Sequence, residues 1–189
     1  MPSAPHGDRS SSKRSTYYWA GGRKVRLSPS NQVAVDLVRA EHSDLRAKQL
    51  AEIRRRGRSV NDGLMILGKA QFDEYERAEL EAAAALHPIY ASSDGTLIIV
   101  LPEVRVEISD PDKGRSFLKN FEGSDRGLQL SEGRPGRFVI KLDKGNGDDA
   151  LLLANELVET LHPDLAQARF VRLTDRPGPR GTTRLPTAP

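Results

Sequence analysis

The amino-acid sequence predicts an α+β fold, in which a regular C-terminal half follows a smaller α/β N-terminal region. Apolar and charged residues alternate over Val104–Ile108 and again over Arg137–Leu142, which indicates strands with one buried face. Asp148–Leu161 has the apolar spacing of a strongly amphipathic helix. Together with one more helix and two more strands, these elements follow the order βαββαβ over about 70 residues, the ferredoxin-like arrangement.

The N-terminal region, residues 16–102, is predicted to contain short strands and two helices. The strands are expected at 16–19, 24–27, 32–37 and 97–101, and the helices at 43–56 and 72–85. Gly21-Gly22 supplies a turn between the first two strands, and Ser28–Asn31 is interpreted as a second turn. Leu64–Leu67 is a short apolar run. No internal repeat is apparent in the sequence.

The C-terminal half, residues 103–174, has clearer helix signals. Asp110 and Pro111 are typical first residues of a helix, which we expect over residues 110–121. The two further strands are expected at 127–130 and 168–173. In this arrangement both helices cover one face of the sheet, and the other face is left free.

Two terminal segments lack the apolar residues that a core requires. Residues 1–15 are dominated by Ser, Pro, Gly and charged residues, and residues 175–189 hold four of the twelve prolines. We expect both segments to be disordered because they cannot bury enough apolar surface.

The composition excludes several classes of function. The sequence has no cysteine, which removes disulfide scaffolds, thiolate metal sites and cysteine nucleophiles. No apolar run approaches the roughly 18 residues of a membrane span. The N-terminus has no apolar leader, so we expect a cytoplasmic protein with no membrane partner.

The positive charge is unevenly distributed along the chain. The net charge is +3, yet residues 1–60 alone carry 13 Lys and Arg against 5 Asp and Glu. Because the basic character is confined to this third and to the C-terminal tail, it argues against a nucleic-acid partner. The densest run, Ile53–Ser59, either meets phosphates or an acidic partner, or is a solvated helix C-terminus, where cations are favoured.

Three segments of the C-terminal half carry a family resemblance: Phe138-Val139-Ile140-Lys141-Leu142, Asp149–Leu157 and Ala166–Val171. They resemble the N-terminal prodomain of bacterial subtilisin-like serine peptidases, of the fervidolysin-prodomain kind. Weaker similarity extends upstream to Tyr17–Val25, so that the resemblance covers about residues 17 to 173. Arg169 departs from the pattern, since the family has an acidic residue, Pro and Asn at this place.

The resemblance implies binding rather than catalysis. The chain ends where the peptidase domain would begin, and it has no Gly-x-Ser-x-Gly motif. Its histidines are expected to be tail, solvated or capping residues: His6, His42, His87 and His162. We therefore expect no enzymatic activity, no catalytic residue, no metal and no cofactor. The implied function is a free-standing protein that binds a separate subtilisin-like serine peptidase, as an inhibitor or a folding assistant.

The resemblance also implies which residues bind the peptidase. In the family, the free sheet face lies on the peptidase, and the segment after the last strand enters the substrate cleft. The corresponding candidates here are Arg105, Glu107, Val139 and Lys141 on the face, and Leu173, Thr174, Asp175 and Arg176 in the exit segment. The alternative is a non-catalytic adaptor of a multi-gene system, whose basic N-terminal region contacts another partner.

Overall fold

The computed structural model describes residues 16–61, 63–122 and 128–173, and both predicted tails lie outside these residues. The described chain is of the α+β class, and all its strand pairs are antiparallel. The strands are β1 Tyr17–Ala20, β2 Arg23–Arg26, β3 Ser28–Asp36, β4 Arg58–Asn61, β5 Leu64–Gly68, β6 Leu86–Ala91, β7 Leu97–Glu107, β8 Leu128–Arg134, β9 Arg137–Leu142 and β10 Leu165–Leu173. The α-helices are α1 Leu37–Ala40, α2 Ala47–Arg56, α3 Glu74–Ala82, α4 Pro111–Glu122 and α5 Gly147–Leu161.

The strands from β3 to β10 form two successive units with the same order of elements. The first unit, residues 28–91, runs β3-α1/α2-β4-β5-α3-β6, and its strands lie in the order β4-β5-β3-β6. The second unit, residues 97–173, runs β7-α4-β8-β9-α5-β10, with the strand order β8-β9-β7-β10. The topology is therefore repeated, although no internal repeat is apparent in the sequence.

The long strand β7 joins the two units into one sheet. Along one edge it pairs with β10, while its other edge pairs first with β6 and then with β9. The partner strand changes near Pro102, which is paired with no residue of β6, β9 or β10. Proline suits this position because it has no backbone N–H to donate. The strands predicted at 97–101 and 104–108 are thus one continuous element.

Two elements of the first unit differ from the prediction. Ser28–Asn31 does not form the expected turn, because Ser28 and Pro29 already pair with β6 at the start of β3. The helix expected from residue 43 begins at Ala47, because the chain is still extended at the N-cap residue Arg46, whose amide donates to the Gln49 side chain. The separate short helix α1 was not predicted, and its first amides donate to the Asp36 side chain. Strand β4 was not predicted because its residues are mostly polar, and only Val60 is half-buried.

The helices of both units cover the same face of the sheet. In the second unit, α4 and α5 pack on a core that contains Phe138, Ile140 and Leu157, as the predicted alternation requires. In the first unit, α2 and α3 pack on Val35 and on β5 through Leu50, Ile53 and Leu80. The opposite face has no helix among the described elements that contributes to its apolar cluster.

The β1–β2 hairpin packs against α5 and β10 of the second unit. The Asn155 side chain of α5 donates to the Tyr17 carbonyl at 2.9 Å, and the Tyr17 hydroxyl donates to Glu159 at 2.9 Å. Tyr18 packs edge-on against Phe170 with ring centroids 4.9 Å apart. The aromatic residues near the N-terminus are therefore engaged within the molecule.

Because α5 begins close to the backbone of β7, we expect that Gly147 cannot be replaced by a larger residue without loss of stability. A Cβ at this glycine would lie 2.1 Å from the Val100 carbonyl oxygen, a backbone atom that cannot move aside cheaply. We expect Gly147→Ala to lower the free energy of unfolding by about 1–3 kcal/mol, measured by urea denaturation. Gly133→Ala is the control, because nothing lies within 4 Å of that added Cβ. Equal stability of the two variants would contradict the close contact.

Candidate protein-binding face

Four of the predicted binding residues lie together on the helix-free face of the second unit. Arg105 pairs with Val139 in the register of β7 and β9, and Lys141 is opposite Glu103. Glu107 lies at the end of the same row, opposite Arg137. Arg105 and Lys141 are exposed, whereas Val139 and Glu107 are half-buried. The alternation of apolar and polar residues therefore identified a contiguous surface. We call these four residues, together with the neighbouring Glu103, Arg137 and Arg169, the charged lattice.

Ion pairs within the charged lattice neutralise part of its positive charge. The Glu103 carboxylate accepts a hydrogen bond from Arg169 at 3.0 Å and lies 3.8 Å from the Arg105 guanidinium. Arg137 and Glu107 form a further pair at 3.5 Å. Exposed pairs of this kind stabilise a fold by at most about 1 kcal/mol each. They leave a net charge of +2 on this surface, because its four cations, Arg105, Arg137, Lys141 and Arg169, face only the two carboxylates of Glu103 and Glu107.

Leu173, the fifth predicted residue, lies far from this lattice. In the register of β10 and β7, Leu173 pairs with Leu97, whereas Arg105 pairs with Gln167. Leu97 and Arg105 are eight residues apart on β7, which corresponds to roughly 26 Å along a strand. The remaining candidates, Thr174, Asp175 and Arg176, lie outside the described residues.

An apolar cluster near Leu173 was not among the sequence-derived candidates. On the helix-free face, six strands contribute aliphatic side chains to one cluster, and the buried His87 of β6 lies on the same face, opposite Ala34. Its buried members are Ala34, Leu64, Ile66, Ile89 and Ile99, and its half-buried members are Val60, Leu97, Leu101, Val171 and Leu173. We call this cluster the aliphatic patch.

Two runs in the sequence could have revealed the aliphatic patch. Leu64–Leu67 and Leu97–Leu101 are continuously apolar rather than alternating. Such runs are typical of strands that are covered on both faces. In the structure the residues of these runs on the helix-free face of β5 and β7 are indeed buried, with Leu64 7%, Ile66 4% and Ile99 0% exposed.

Three of the four arginines in the basic run of the first unit form ion pairs. Each of its three consecutive arginines meets a carboxylate: Arg54 with Glu41 at 2.9 Å, Arg55 with Glu52 at 2.6 Å and Arg56 with Glu76 at 2.9 Å. The solvated helix C-terminus is therefore the better of the two interpretations offered above.

His87 differs from the expectation of a solvated or capping residue, because it is fully buried in β6. Its Nε2 lies 3.6 Å from an Asp36 carboxylate oxygen. Burial opposes ionisation of Asp36, but the contact with His87 and the hydrogen bond from the Arg39 amide hold the pKa of that carboxyl below its ordinary value. Arg39 in turn donates to the carbonyls of Leu142 and Gly145, which ties the two units together.

The remaining polar features belong to the fold. The segment Asp143–Asp149 is a strand-to-helix turn, in which Asn146 accepts from the amides of Asp148 and Asp149. Burial first, and then the hydrogen bond from its hydroxyl to Asp148, raises the pKa of Tyr90. Within the described ranges, no group of three or more His, Asp or Glu residues is arranged to hold a metal ion. None of the helices described is both long and apolar enough to cross a membrane.

The chain was compared with protein-family models, with curated proteins and with solved structures. None of the three comparisons finds a match. A functional conclusion therefore depends on the residues themselves and on the surfaces that the fold brings together.

Proposed function

We propose that this chain is prodomain-like and binds a subtilisin-like serine peptidase as an inhibitor or folding assistant. The observation that carries the proposal is where the prodomain-like residues lie. Phe138–Leu142 belong to β9, Asp149–Leu157 to α5 and Ala166–Val171 to β10, so all three segments are in the second unit. The strand order β10-β7-β9-β8 supports the ferredoxin-like topology that we propose for this unit.

Binding by such a protein uses two surfaces. The helix-free face docks on the outside of the peptidase, and the chain that leaves β10 at Leu173 enters the substrate cleft. An extended segment in a cleft gains affinity by adding a strand to the cleft edge. A short segment alone binds weakly because its ordering costs conformational entropy, so the docked face is needed to hold it in place.

The departure at Arg169 bears on the strength of inhibition. This side chain is exposed and ion-paired with Glu103, where the family has an acidic residue, Pro and Asn. We therefore propose weak or substrate-like inhibition rather than a permanent complex. The cysteine-free composition is consistent with the cytoplasmic location that we propose for the protein.

The alternative function, an adaptor that uses its basic N-terminal region, receives less support. Of the thirteen Lys and Arg residues in that region, the three arginines at the end of α2 are each paired with a carboxylate and are less available to a partner. The adaptor function becomes the better proposal if no peptidase is bound.

The proposed function predicts how truncation separates binding from inhibition. The test uses the mature form of a subtilisin-like peptidase encoded in the same gene neighbourhood. The full chain is expected to bind it and to slow cleavage of a peptide substrate. A chain truncated after Leu173 is expected to bind but not to inhibit, because the cleft segment is gone. Lys141→Glu is expected to weaken binding. A full chain that neither binds the peptidase nor alters its activity or refolding yield contradicts the proposal.

A further inference from the structure

We infer that the charged lattice is the centre of a docking surface for an acidic protein segment. This segment lies across β7, β9 and β10 and brings its carboxylates to the arginine and lysine side chains of the helix-free face. The inference names the chemistry of the partner. It goes beyond the proposed function, because it does not depend on that partner being a peptidase.

The cations of the charged lattice are more exposed than the carboxylate that two of them share. Glu103 accepts a hydrogen bond from Arg169 at 3.0 Å and lies 3.8 Å from the Arg105 guanidinium, but its side chain is only 12% exposed. The side chains of Arg169 and Arg105 are 47% and 59% exposed. Lys141 is also exposed, and no carboxylate of the described residues is paired with it. A partner that approaches this face therefore meets mainly positive charge.

The positive charge continues from the charged lattice onto β8. Arg134 is exposed and lies opposite Arg137 in the register of β8 and β9. Gln129 lies opposite Lys141 and donates a hydrogen bond to the Asp143 carboxylate at 3.1 Å. Arg134 and Asp143 add one charge of each sign, so the net charge of +2 extends over four neighbouring strands.

The helix-covered side of the second unit has the opposite charge. Helix α5 contains four Asp and Glu residues and no Lys or Arg, and α4 contains three Lys and Arg residues against two Asp and Glu. The two helices together therefore carry a net charge of −3, whereas the charged lattice on the other side of the sheet carries +2. This separation of charge directs an acidic partner to the sheet face rather than to the helices.

The side chains of this face favour a protein over a nucleic acid as the partner. The four aromatic residues of the second unit all belong to the core on the helix side: Phe117, Phe121, Phe138 and Phe170. The charged lattice therefore offers no aromatic ring on which a base could stack. Glu103 and Glu107 alternate with Arg105 along β7, and their carboxylates repel a uniformly charged phosphate chain. A protein segment can match this pattern by placing carboxylates only opposite the cations.

The inference is tested by measuring the binding of two probes to the full chain by fluorescence anisotropy. One probe is a fluorescein-labelled peptide of alternating Glu and Ser residues, and the other is an oligothymidylate of the same net charge. The variants are Lys141→Gln and the double variant Arg137→Gln/Lys141→Gln. Lys119→Gln is the matched control, because it removes an exposed cation from α4 on the other side of the sheet. Thermal melts by circular dichroism establish that each variant folds, and Lys141→Gln, which breaks no ion pair, suffices if the double variant does not fold.

The glutamate peptide is expected to bind wild-type protein, and to bind less tightly as salt rises from about 50 to about 200 mM, because salt screens exposed charges. Its dissociation constant is expected to rise about threefold for Lys141→Gln and about tenfold for the double variant, with little change for Lys119→Gln. The oligothymidylate is expected to bind less tightly than the peptide.

Three results would overturn the inference, and each leaves the proposed function to its own test with the peptidase. The first is a glutamate peptide that does not bind at low salt, or that binds all the folded variants equally well. The second is tighter binding of the oligothymidylate that is lost in Lys141→Gln, which identifies a nucleic acid as the partner. The third is a wild-type dimer in sedimentation that the double variant disperses, which shows that a second copy of the chain covers the face.

Discussion

Replacing Arg56 with methionine is expected to lower the free energy of unfolding by about 3–5 kcal/mol. The Arg56 guanidinium donates to both carboxylate oxygens of Glu76, at 2.9 and 3.0 Å, and also to the Gln71 carbonyl. The Glu76 side chain is only 7% exposed. Removing the arginine leaves a buried carboxylate without its cation, which is far more costly than the loss of an exposed ion pair.

The same carboxylate also stabilises the start of α3. Asp73 accepts a hydrogen bond from the Glu76 amide at 2.7 Å, and a Glu76 oxygen lies 3.4 Å from the Asp73 amide. Arg56, at the end of α2, is thus connected to the N-terminal cap of α3. The Arg56→Met variant is therefore expected to destabilise the packing of both helices against the sheet.

Two comparisons make the Arg56 prediction specific. Arg55→Met is the matched control, because Arg55 pairs with the exposed residue Glu52, and its loss should cost less than about 1 kcal/mol. The double variant Arg56→Met/Glu76→Met should recover much of the lost stability, since no buried charge remains. Urea denaturation measures all four proteins. Similar costs for Arg55→Met and Arg56→Met would show that Glu76 is not buried as described.

The second unit was predictable because its local patterns agree with its tertiary contacts. The alternation over β9 places Phe138 and Ile140 on the helix side, and both are buried there. The first unit was less predictable because local signals misled at two places. Pro29 suggests a turn but lies in β3. Strand β4 has no alternating apolar residues, so its sequence pattern does not indicate a strand. Without β4, the repeated element order cannot be recognised from the sequence.

The binding face was predictable only where it depends on alternation. The period of two placed Arg105, Glu107, Val139 and Lys141 on a common surface. The distance of Leu173 from them could not be inferred, because it depends on β7 continuing through Pro102 to pair with β10 along both halves. For the same reason the aliphatic patch is assembled from six strands whose neighbours no short segment of sequence determines.

The second large effect is expected at Phe138, whose substitution by alanine should cost about 3–5 kcal/mol. This side chain is 1% exposed and packs against Phe117, with ring centroids 5.1 Å apart. The cost combines the lost burial of an aromatic ring with the cavity that remains beneath α4. Urea denaturation provides the measurement.

The neighbouring residue separates stability from binding. Val139 lies on the opposite face of β9, half-buried and without a helix above it, so Val139→Ala should cost less than about 1.5 kcal/mol. Because a shift of one residue in register exchanges the faces of a strand, a larger cost for Val139→Ala than for Phe138→Ala would show that β9 is in the opposite phase. In the described phase, Phe138 contributes to the core beneath the sheet and makes no direct contact with a partner on the helix-free face. Phe138→Leu, if folded, should therefore keep wild-type affinity for the peptidase while losing stability.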